Sequence, residues 1–291
     1  MNTLSNQANV PITAPESEEV SVDTIRARRR RRILVNSIRV LILVVFIGGW
    51  QFTTSVGIVD SFFWGQPSGI WMQLVTWVGQ GTAQGPLWQQ IAVTLEEAIL
   101  GFVIGVVLGV IFGVVLGRNR FLADVLSPYI KAANSIPRVT LAPLFVIGLG
   151  LGFQSKVALA VVLVFFVVFF NAFQGVREVD RNLLANAQIL GASQQRLSTE
   201  VIIPSALTWI LASLHTSFSF ALVGAVVGEF LGATQGIGLM IQNAGANFNA
   251  NGVFAAMVIL AAVALITEVL ITALENRLVR WRPNTVSEVT I

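Results

Sequence analysis

The sequence predicts an all-α membrane protein with about six transmembrane helices. Hydrophobic residues make up 55% of its 291 residues and charged residues only 11%, whereas soluble proteins average about 25% charged residues. The mean hydropathy is +0.77, and several apolar runs reach the roughly 20 residues that a helix needs to cross the hydrocarbon core. These runs are too long for the core of a soluble domain.

The first 32 residues differ from the rest of the chain. Residues 1–23 are polar, acidic and interrupted by prolines, and an arginine-rich run follows at 26–32. We expect residues 1–32 to be a disordered cytoplasmic tail, with the basic run holding the N-terminus inside. A signal peptide is not favoured, because no small-residue cleavage site follows the run.

Five apolar segments are predicted to be regular transmembrane helices. They are the first, second, fourth, fifth and sixth spans: Val40–Val59, Val93–Leu116, Val157–Phe173, Leu207–Phe230 and Val253–Leu274. The third span lies between Tyr129 and Leu149 and contains Lys131, Pro137, Arg138 and Pro143. Because proline interrupts helices, this span is predicted to be kinked or broken. Such a break is tolerated at membrane depth only where it is buried in protein or lines a wet cavity.

The basic residues orient the six spans. With a cytoplasmic N-terminus, the outer segments are 60–92, 150–156 and 231–252, and they contain one basic residue, Lys156. The other 17 of the 18 Lys and Arg residues lie at or near cytoplasmic ends, as the positive-inside rule requires. The pI near 10.2 therefore indicates membrane orientation and not nucleic-acid binding. The transmembrane domain is expected over residues 33–283, with 284–291 as a cytoplasmic C-terminal tail.

The composition also excludes several kinds of chemistry. There is no cysteine and only one histidine, so the chain has neither disulfides nor a His/Cys zinc site. A phosphate-binding loop of the G-x4-G-K-[ST] type is absent, since neither lysine follows a glycine. We therefore expect no catalytic centre, no cofactor and no metal in this chain.

The second span carries a glycine at every fourth position. These glycines form a ridge on one helix face: Gly101, Gly105, Gly109, Gly113 and Gly117. Such a ridge lets a neighbouring backbone approach closely, so we expect tight helix packing there. The neighbour can belong to the same chain or to a second copy.

Two short elements are predicted outside the membrane. Residues 67–78 are predicted to form a helix with one apolar face, and Trp64, Trp71 and Trp77 suit the membrane interface. We expect this helix to lie on the outer leaflet or to dock another protein. The uncharged loop 232–252 has a short helix expected around 237–244 and could face a solute or a delivery protein.

Ionisable residues within the spans are candidates for the solute pathway or its gate, because charge inside a membrane is costly. They are Glu229, Glu268 and His215. Glu229 is expected near the outer interface, where water can solvate it. Glu268 is deeper and is expected to pair with a cytoplasmic-side arginine or to cap another helix. For His215, a hydrogen-bonded structural role is favoured over a proton relay, and Glu97 is interpreted as an interfacial helix start.

The loop between the fourth and fifth spans contains a spaced motif. Its residues are Ala185, Asn186 and Ala187, then Gly191, then Val201, Ile203 and Pro204. This resembles the cytoplasmic "EAA" loop of permease subunits in bacterial ABC importers, which reads E-A-A-x3-G-x9-I-x-L-P. Ala185 stands where the family has glutamate, and Asn186 where it has alanine. The resemblance implies a helix-turn-helix over about 178–204 that docks on a separate ATPase.

Other segments resemble the nitrate/sulfonate/taurine branch of these permeases. They are Pro67-Ser68, Ile136-Pro137-Arg138, Leu141 to Leu144, Val227 to Phe230, Gly236 to Gly238, and the Arg-Trp-Arg-Pro stretch at 280–283. The resemblance implies a type I (MetI-like) importer bundle in the bacterial cytoplasmic membrane. Its implied partners are a cytoplasmic ABC ATPase that binds ATP, an extracytoplasmic solute-binding protein and a second copy of the chain.

The resemblance implies a small solute of the nitrate, sulfonate or taurine kind, or a vitamin-like one such as riboflavin or a thiamine precursor. Outside the third span, no basic residue lies deep in the membrane, and the fourth span is rich in phenylalanine. Both features favour a neutral or aromatic solute. The alternative function is a secondary active transporter with Glu268 as its coupling carboxylate.

Overall fold

The computed structural model describes residues 22–179 and 181–278. Within these ranges the chain is helical and contains no β-strand beyond an isolated bridge between Thr82 and Gly85. Its α-helices are, in order: α1 (Val22–Ser55), α2 (Ser61–Trp64), α3 (Pro67–Gln80), α4 (Leu87–Arg118), α5 (Arg120–Ser135), α6 (Ala142–Leu149), α7 (Phe153–Arg177), α8 (Arg181–Ile189), α9 (Gln194–Arg196), α10 (Ile203–Leu231), α11 (Ile237–Ala246) and α12 (Ala250–Leu278). A 3-10 turn, Arg138–Leu141, precedes α6, and a π-helical turn, Leu197–Ile202, precedes α10.

Five helices in the described residues are long and apolar enough to cross a membrane: α1, α4, α7, α10 and α12. Residues Arg120–Ser135 and Arg138–Leu149 are apolar enough only when taken together, and the 83° bend between them makes them one broken span or a re-entrant loop. The break falls at Ile136 (φ −77°, ψ 127°), since a residue before proline is pushed out of the helical region. Pro143 does not contribute to the break, because it lies in the first turn of α6, where proline is tolerated. The prediction of a broken third span is confirmed.

The first span differs from its prediction at both ends. Helix α1 ends at Ser55, and Gly57 has a φ of +80°, so residues 56–59 form a turn and do not extend the span. The helix begins at Val22, and the expectation of a disordered tail is therefore wrong for residues 22–32. Arginine is a good helix former, and the basic run continues directly into the apolar helix. Residues 1–21 lie outside the described part of the chain, as do Arg280 to Pro283 and the expected tail 284–291.

Helices α4, α7 and α10 form the centre of the bundle. Their buried residues include Ala98, Val164, Val168, Phe218 and Ala221. Helices α11, α12 and α3 cover one end of this trio, which we call the outer end after the orientation that the basic residues predict. The consequence is a rigid three-helix core to which α1, α5 and α6 are attached at the periphery.

The glycine ridge of α4 packs against α7 of the same chain. A Cβ added at Gly105, Gly109, Gly113 or Gly117 would lie 2.7–2.8 Å from the Cβ of the α7 residue opposite, and close to α7 backbone atoms. At Gly101 the added atom would overlap Ala160. Both backbones therefore approach to a distance that only glycine permits.

Candidate functional site

The connection between α7 and α10 forms the helix-turn-helix that the motif predicted. Helix α8 ends at Ile189, and Gly191 (φ +84°) lies in the turn that follows it. There the N–H of Gly191 donates to the Gln188 carbonyl (2.9 Å) and the N–H of Ala192 to the Ala187 carbonyl (3.0 Å). This pair of bonds is a Schellman motif, which requires a residue in the left-handed conformation. Glycine adopts it without steric cost, and this explains Gly191 at the turn.

The turn carries two apolar side chains that nothing in the described chain covers. Ile189 is 82% exposed and Leu190 87% exposed, next to exposed Ala185 and Asn186. We call Ile189 and Leu190 the loop tip. Exposed apolar pairs on a loop are typical of a contact with another protein.

The second half of the motif connects the loop directly to α10. Val201, Ile203 and Pro204 are half-buried, and Pro204 lies in the first turn of α10, as expected for a residue without an N–H. No break separates α9, the π-helical turn and α10. A displacement of the loop therefore reaches the bundle through continuous helix.

A buried polar cluster lies at the outer end of the bundle. The carboxylate of Glu229 is fully buried; it accepts from the Thr94 hydroxyl (2.7 Å) and from the Gly238 N–H (2.6 Å). Thr94 in turn accepts from the Ile237 N–H (2.9 Å), and the Gln90 side chain accepts from the Gly236 N–H (2.8 Å). Three of these hydrogen bonds fix the start of α11 to α4 and α10, and the fourth joins Thr94 of α4 to Glu229 of α10.

The expectation that water solvates Glu229 is wrong, because α11 and α4 cover it. Its carboxylate lies instead at the N-terminus of α11, where the unpaired N–H groups and the helix dipole favour negative charge. Gly236 and Gly238 leave no room for a side chain, since a Cβ at either would meet Glu229. Glu229 therefore holds a helix in place and does not line an open path in this conformation.

Two further ionisable residues complete the outer cluster. Glu97, interpreted above as an interfacial helix start, lies well inside α4, because the helix begins earlier than predicted, at Leu87. Its side chain is only 3% exposed. Lys156, expected in an outer loop, lies in the first turn of α7 and is 2% exposed. Its ammonium donates to the carbonyls of Leu151 and Gly152. Glu97, Glu229 and Lys156 lie close enough to influence one another electrostatically, and one Glu97 carboxyl oxygen is buried without a hydrogen-bond partner.

Sequence reasoning missed Gln90, Thr94, Glu97 and Lys156 as members of this cluster. They looked like ordinary polar residues near span ends. The periodicity offered one signal, because Gln90, Thr94, Glu97 and Gly101 fall on one helix face, in line with the glycine ridge. A row of polar residues that continues a helix-packing face indicates that their side chains are buried against partners on other helices.

His215 and Glu268 belong to a second cluster, which joins α10 to α12. His215 Nδ1 lies 2.7 Å from Glu268 Oε1, and Nε2 lies 2.9 Å from Glu275 Oε2. The Nδ1 contact does not have hydrogen-bond geometry. Among the described residues, Glu268 therefore lies against His215 and pairs with no arginine, and Glu275 is a partner that sequence reasoning missed.

Glu268 and Glu275 are seven residues apart on α12, which places both on one helix face. Glu268 remains 48% exposed. A single imidazole therefore bridges two carboxylates two turns apart, and this bridge fixes the inner half of α12 to α10.

No group of three or more His, Cys, Asp or Glu side chains with metal-binding geometry occurs among the described residues. The clusters described above join helices to one another.

Comparisons with known proteins agree with this architecture. A family model described as "Binding-protein-dependent transport system inner membrane component" matches residues 105–280, more than half of the chain. The riboflavin transport system permease protein of Chloroflexus aurantiacus is 39% identical over 69% of this chain and 75% of its own length. The putative aliphatic sulfonates transport permease protein of Bacillus subtilis is 30% identical over 83% of this chain and 86% of that protein.

A solved structure shows the same fold. The MetNI methionine ABC transporter in an inward-facing conformation aligns with a TM-score of 0.51 at 23% identity, covering 67% of this chain and 93% of the matched chain. The prediction of a MetI-like importer bundle is confirmed. The alternative of a secondary active transporter finds no support in these comparisons. The chain belongs to the family of binding-protein-dependent transport system inner membrane components, as the permease subunit of an ATP-binding cassette importer.

Proposed function

We propose that the loop tip, Ile189 and Leu190, is the contact through which a cytoplasmic ATPase drives this permease. The observation that carries this proposal is the exposure of both side chains, 82% and 87%, on a loop that the motif identifies as the coupling segment. Burying two such side chains in a groove contributes about 1.5–3 kcal/mol each. The Schellman turn at Gly191 holds them in a fixed direction, so little entropy is lost on docking.

Movement then passes from the loop into the bundle. Force from closure of the ATPase pair passes through the turn at residues 190–193 and then through α9, the π-helical turn and α10, which are continuous. Helix α10 carries both His215 and Glu229, which hold α12 and α11. Movement of α10 therefore moves α12 at the inner end and α11 at the outer end together.

The assembly that this proposal implies contains two copies of the chain. Helix α1 has no buried residue in its membrane window, so a second permease subunit and lipid are its neighbours. An extracytoplasmic solute-binding protein delivers the solute to the outer end. ATP is bound by the ATPase, while this chain carries no cofactor and no catalytic centre. Both termini face the cytoplasm of a bacterial cell.

The solute belongs to the sulfonate or taurine kind, or to the vitamin-like kind of riboflavin and thiamine precursors. The relatives named for riboflavin and for aliphatic sulfonates support this range. Import by the complete transporter, with its ATPase and binding protein, is the activity to be measured.

The test is co-purification of the ATPase with the tagged chain from native membranes. The variant I189S/L190S should lose the ATPase while remaining in the membrane at normal abundance. The matched control is Met72→Ser, because Met72 is also an exposed apolar residue (69%) but lies on the outer helix α3. Retention of the ATPase and of uptake by I189S/L190S would show that the loop tip is not the coupling contact.

A further inference from the structure

The break in the third span places an arginine at the middle of the membrane. The guanidinium of Arg138 lies over the Phe166 ring, 4.6 Å from its centroid. Phe166 is the fourteenth residue of α7, which runs from Phe153 to Arg177. At 1.5 Å per residue it is roughly 20 Å from the outer end of α7 and 17 Å from the inner end. Arg138 therefore lies near mid-depth.

The described residues do not neutralise this charge. Their ion pairs are those of His215, and none involves Arg138. The guanidinium donates to the Asn134 side-chain oxygen, while Nε is buried without a hydrogen-bond partner. The ring of Phe166 compensates in part, through a cation–π contact. A charge at the bilayer centre costs several kcal/mol when left alone, so the site retains capacity for an anion.

The surroundings of Arg138 are polar and open in the single chain. Asn134, Ser135 and Thr140 are exposed, and the backbone at Ile136 leaves the helical conformation. The hydroxyl and the N–H of Thr140 both donate to the Pro137 carbonyl. Irregular backbone with exposed polar side chains does not persist against lipid, but only against protein or water. This face of the break therefore lies against a second subunit or on a water-filled path.

We propose that Arg138, with Asn134 and Thr140 beside it, is an anion-binding site on the solute path, where the solute's negatively charged oxygen group pauses during transport. Sulfonate, carboxylate and phosphate groups share the required chemistry, since a guanidinium binds two of their oxygens at once. The inference rests on the proposed importer function and narrows its solute range, sulfonate-type or vitamin-like, to solutes that carry an oxyanion group; it argues against the neutral solute that the sequence favoured.

The absence of cysteine from the chain allows a direct test. In the complete transporter, a single T140C is modified with methanethiosulfonate reagents of similar size, one bearing a sulfonate and the other a trimethylammonium group. The sulfonate reagent should react about tenfold faster, as expected for a nearby positive charge. The preference should remain in T140C/R138K and fall to about twofold or less in T140C/R138Q. T76C is the control, because Thr76 is an exposed hydroxyl on α3.

Competition by solutes then tests the substrate class. Taurine, which carries a sulfonate, should slow the modification of T140C, whereas neutral riboflavin should not. The proposal would be overturned if only riboflavin slowed the modification of T140C, or if neither solute did. It would also be overturned if the preference for the anionic reagent survived R138Q. Co-purification of the ATPase is measured in the same preparations, so failure of the anion site is distinguished from failure of the importer assembly.

Discussion

The glycine ridge of α4 predicts a steep dependence of stability on side-chain size. At Gly109, a Cβ would lie 2.8 Å from the Val168 Cβ and 3.0 Å from both the Phe165 carbonyl oxygen and the Phe169 nitrogen. Two of these three atoms belong to the α7 backbone and cannot rotate away. Ordinary carbon contacts need about 3.5–4.0 Å, so the helices must separate by roughly 1 Å along the interface.

The energetic balance depends on the size of the new side chain. Gly109→Ala gains about 1 kcal/mol of helix propensity, which offsets part of an overpacking cost of about 1–3 kcal/mol. Gly109→Leu adds three more carbons at the same place, and we expect a net loss of at least about 3 kcal/mol. At about 2–4 °C per kcal/mol, the melting temperature should fall by roughly 6–12 °C.

The assay is thermal melting of the detergent-solubilised chain, followed by size-exclusion chromatography. Gly79→Leu is the matched control, because nothing lies within 4 Å of a Cβ at Gly79. It should melt at or slightly above the temperature of the unchanged protein. If Gly109→Leu lowers the melting temperature no more than Gly79→Leu does, the argument for obligatory close packing between α4 and α7 is refuted.

Three further outcomes are expected. Gly191→Val places a β-branched residue at a φ of +84°, which should destabilise the turn by about 1–2 kcal/mol. It should abolish ATPase-coupled uptake without changing the abundance of the folded chain. Unchanged uptake would contradict the role of the turn. Glu229→Ala leaves the Gly238 N–H without its buried partner, at about 1–3 kcal/mol, whereas the Thr94 hydroxyl can still donate to the Gln90 carbonyl. Hydrogen exchange across residues 237–246 should rise, and unchanged protection would argue against the anchoring role of Glu229. His215→Ala should loosen the contact between α12 and α10. A disulfide between two engineered cysteines, one on each helix, should then form more slowly than when His215 is present. An equal rate would mean that the imidazole bridge does not hold the two helices.

The spans could be predicted because each rests on local properties. Hydropathy over a short window located α7 and α12, and Pro137 located the break. The limits of α1 were harder to predict, because an arginine-rich segment joins an apolar helix without a stop signal and Gly57 ends it. The coupling loop was recognisable because Gly191 and Pro204 have local backbone roles at a fixed spacing.

The polar clusters could not be predicted, because their partners are distant in sequence. Thr94 meets Glu229 across 135 residues, and His215 meets Glu275 across 60. Polar residues near span ends resemble interfacial residues unless the packing of helices is known. For the same reason, Glu229 was expected in water, although α11 folds over it.

The helix from Gln194 to Leu231 is about 55 Å long at 1.5 Å per residue, and it has no joint. If the loop tip is the coupling contact, this continuity predicts little lost motion between the loop and the start of α11, because both act on the same uninterrupted helix. The π-helical turn at Leu197–Ile202 is the one segment of the rod with non-ideal geometry, and slippage between hydrolysis and import would begin there.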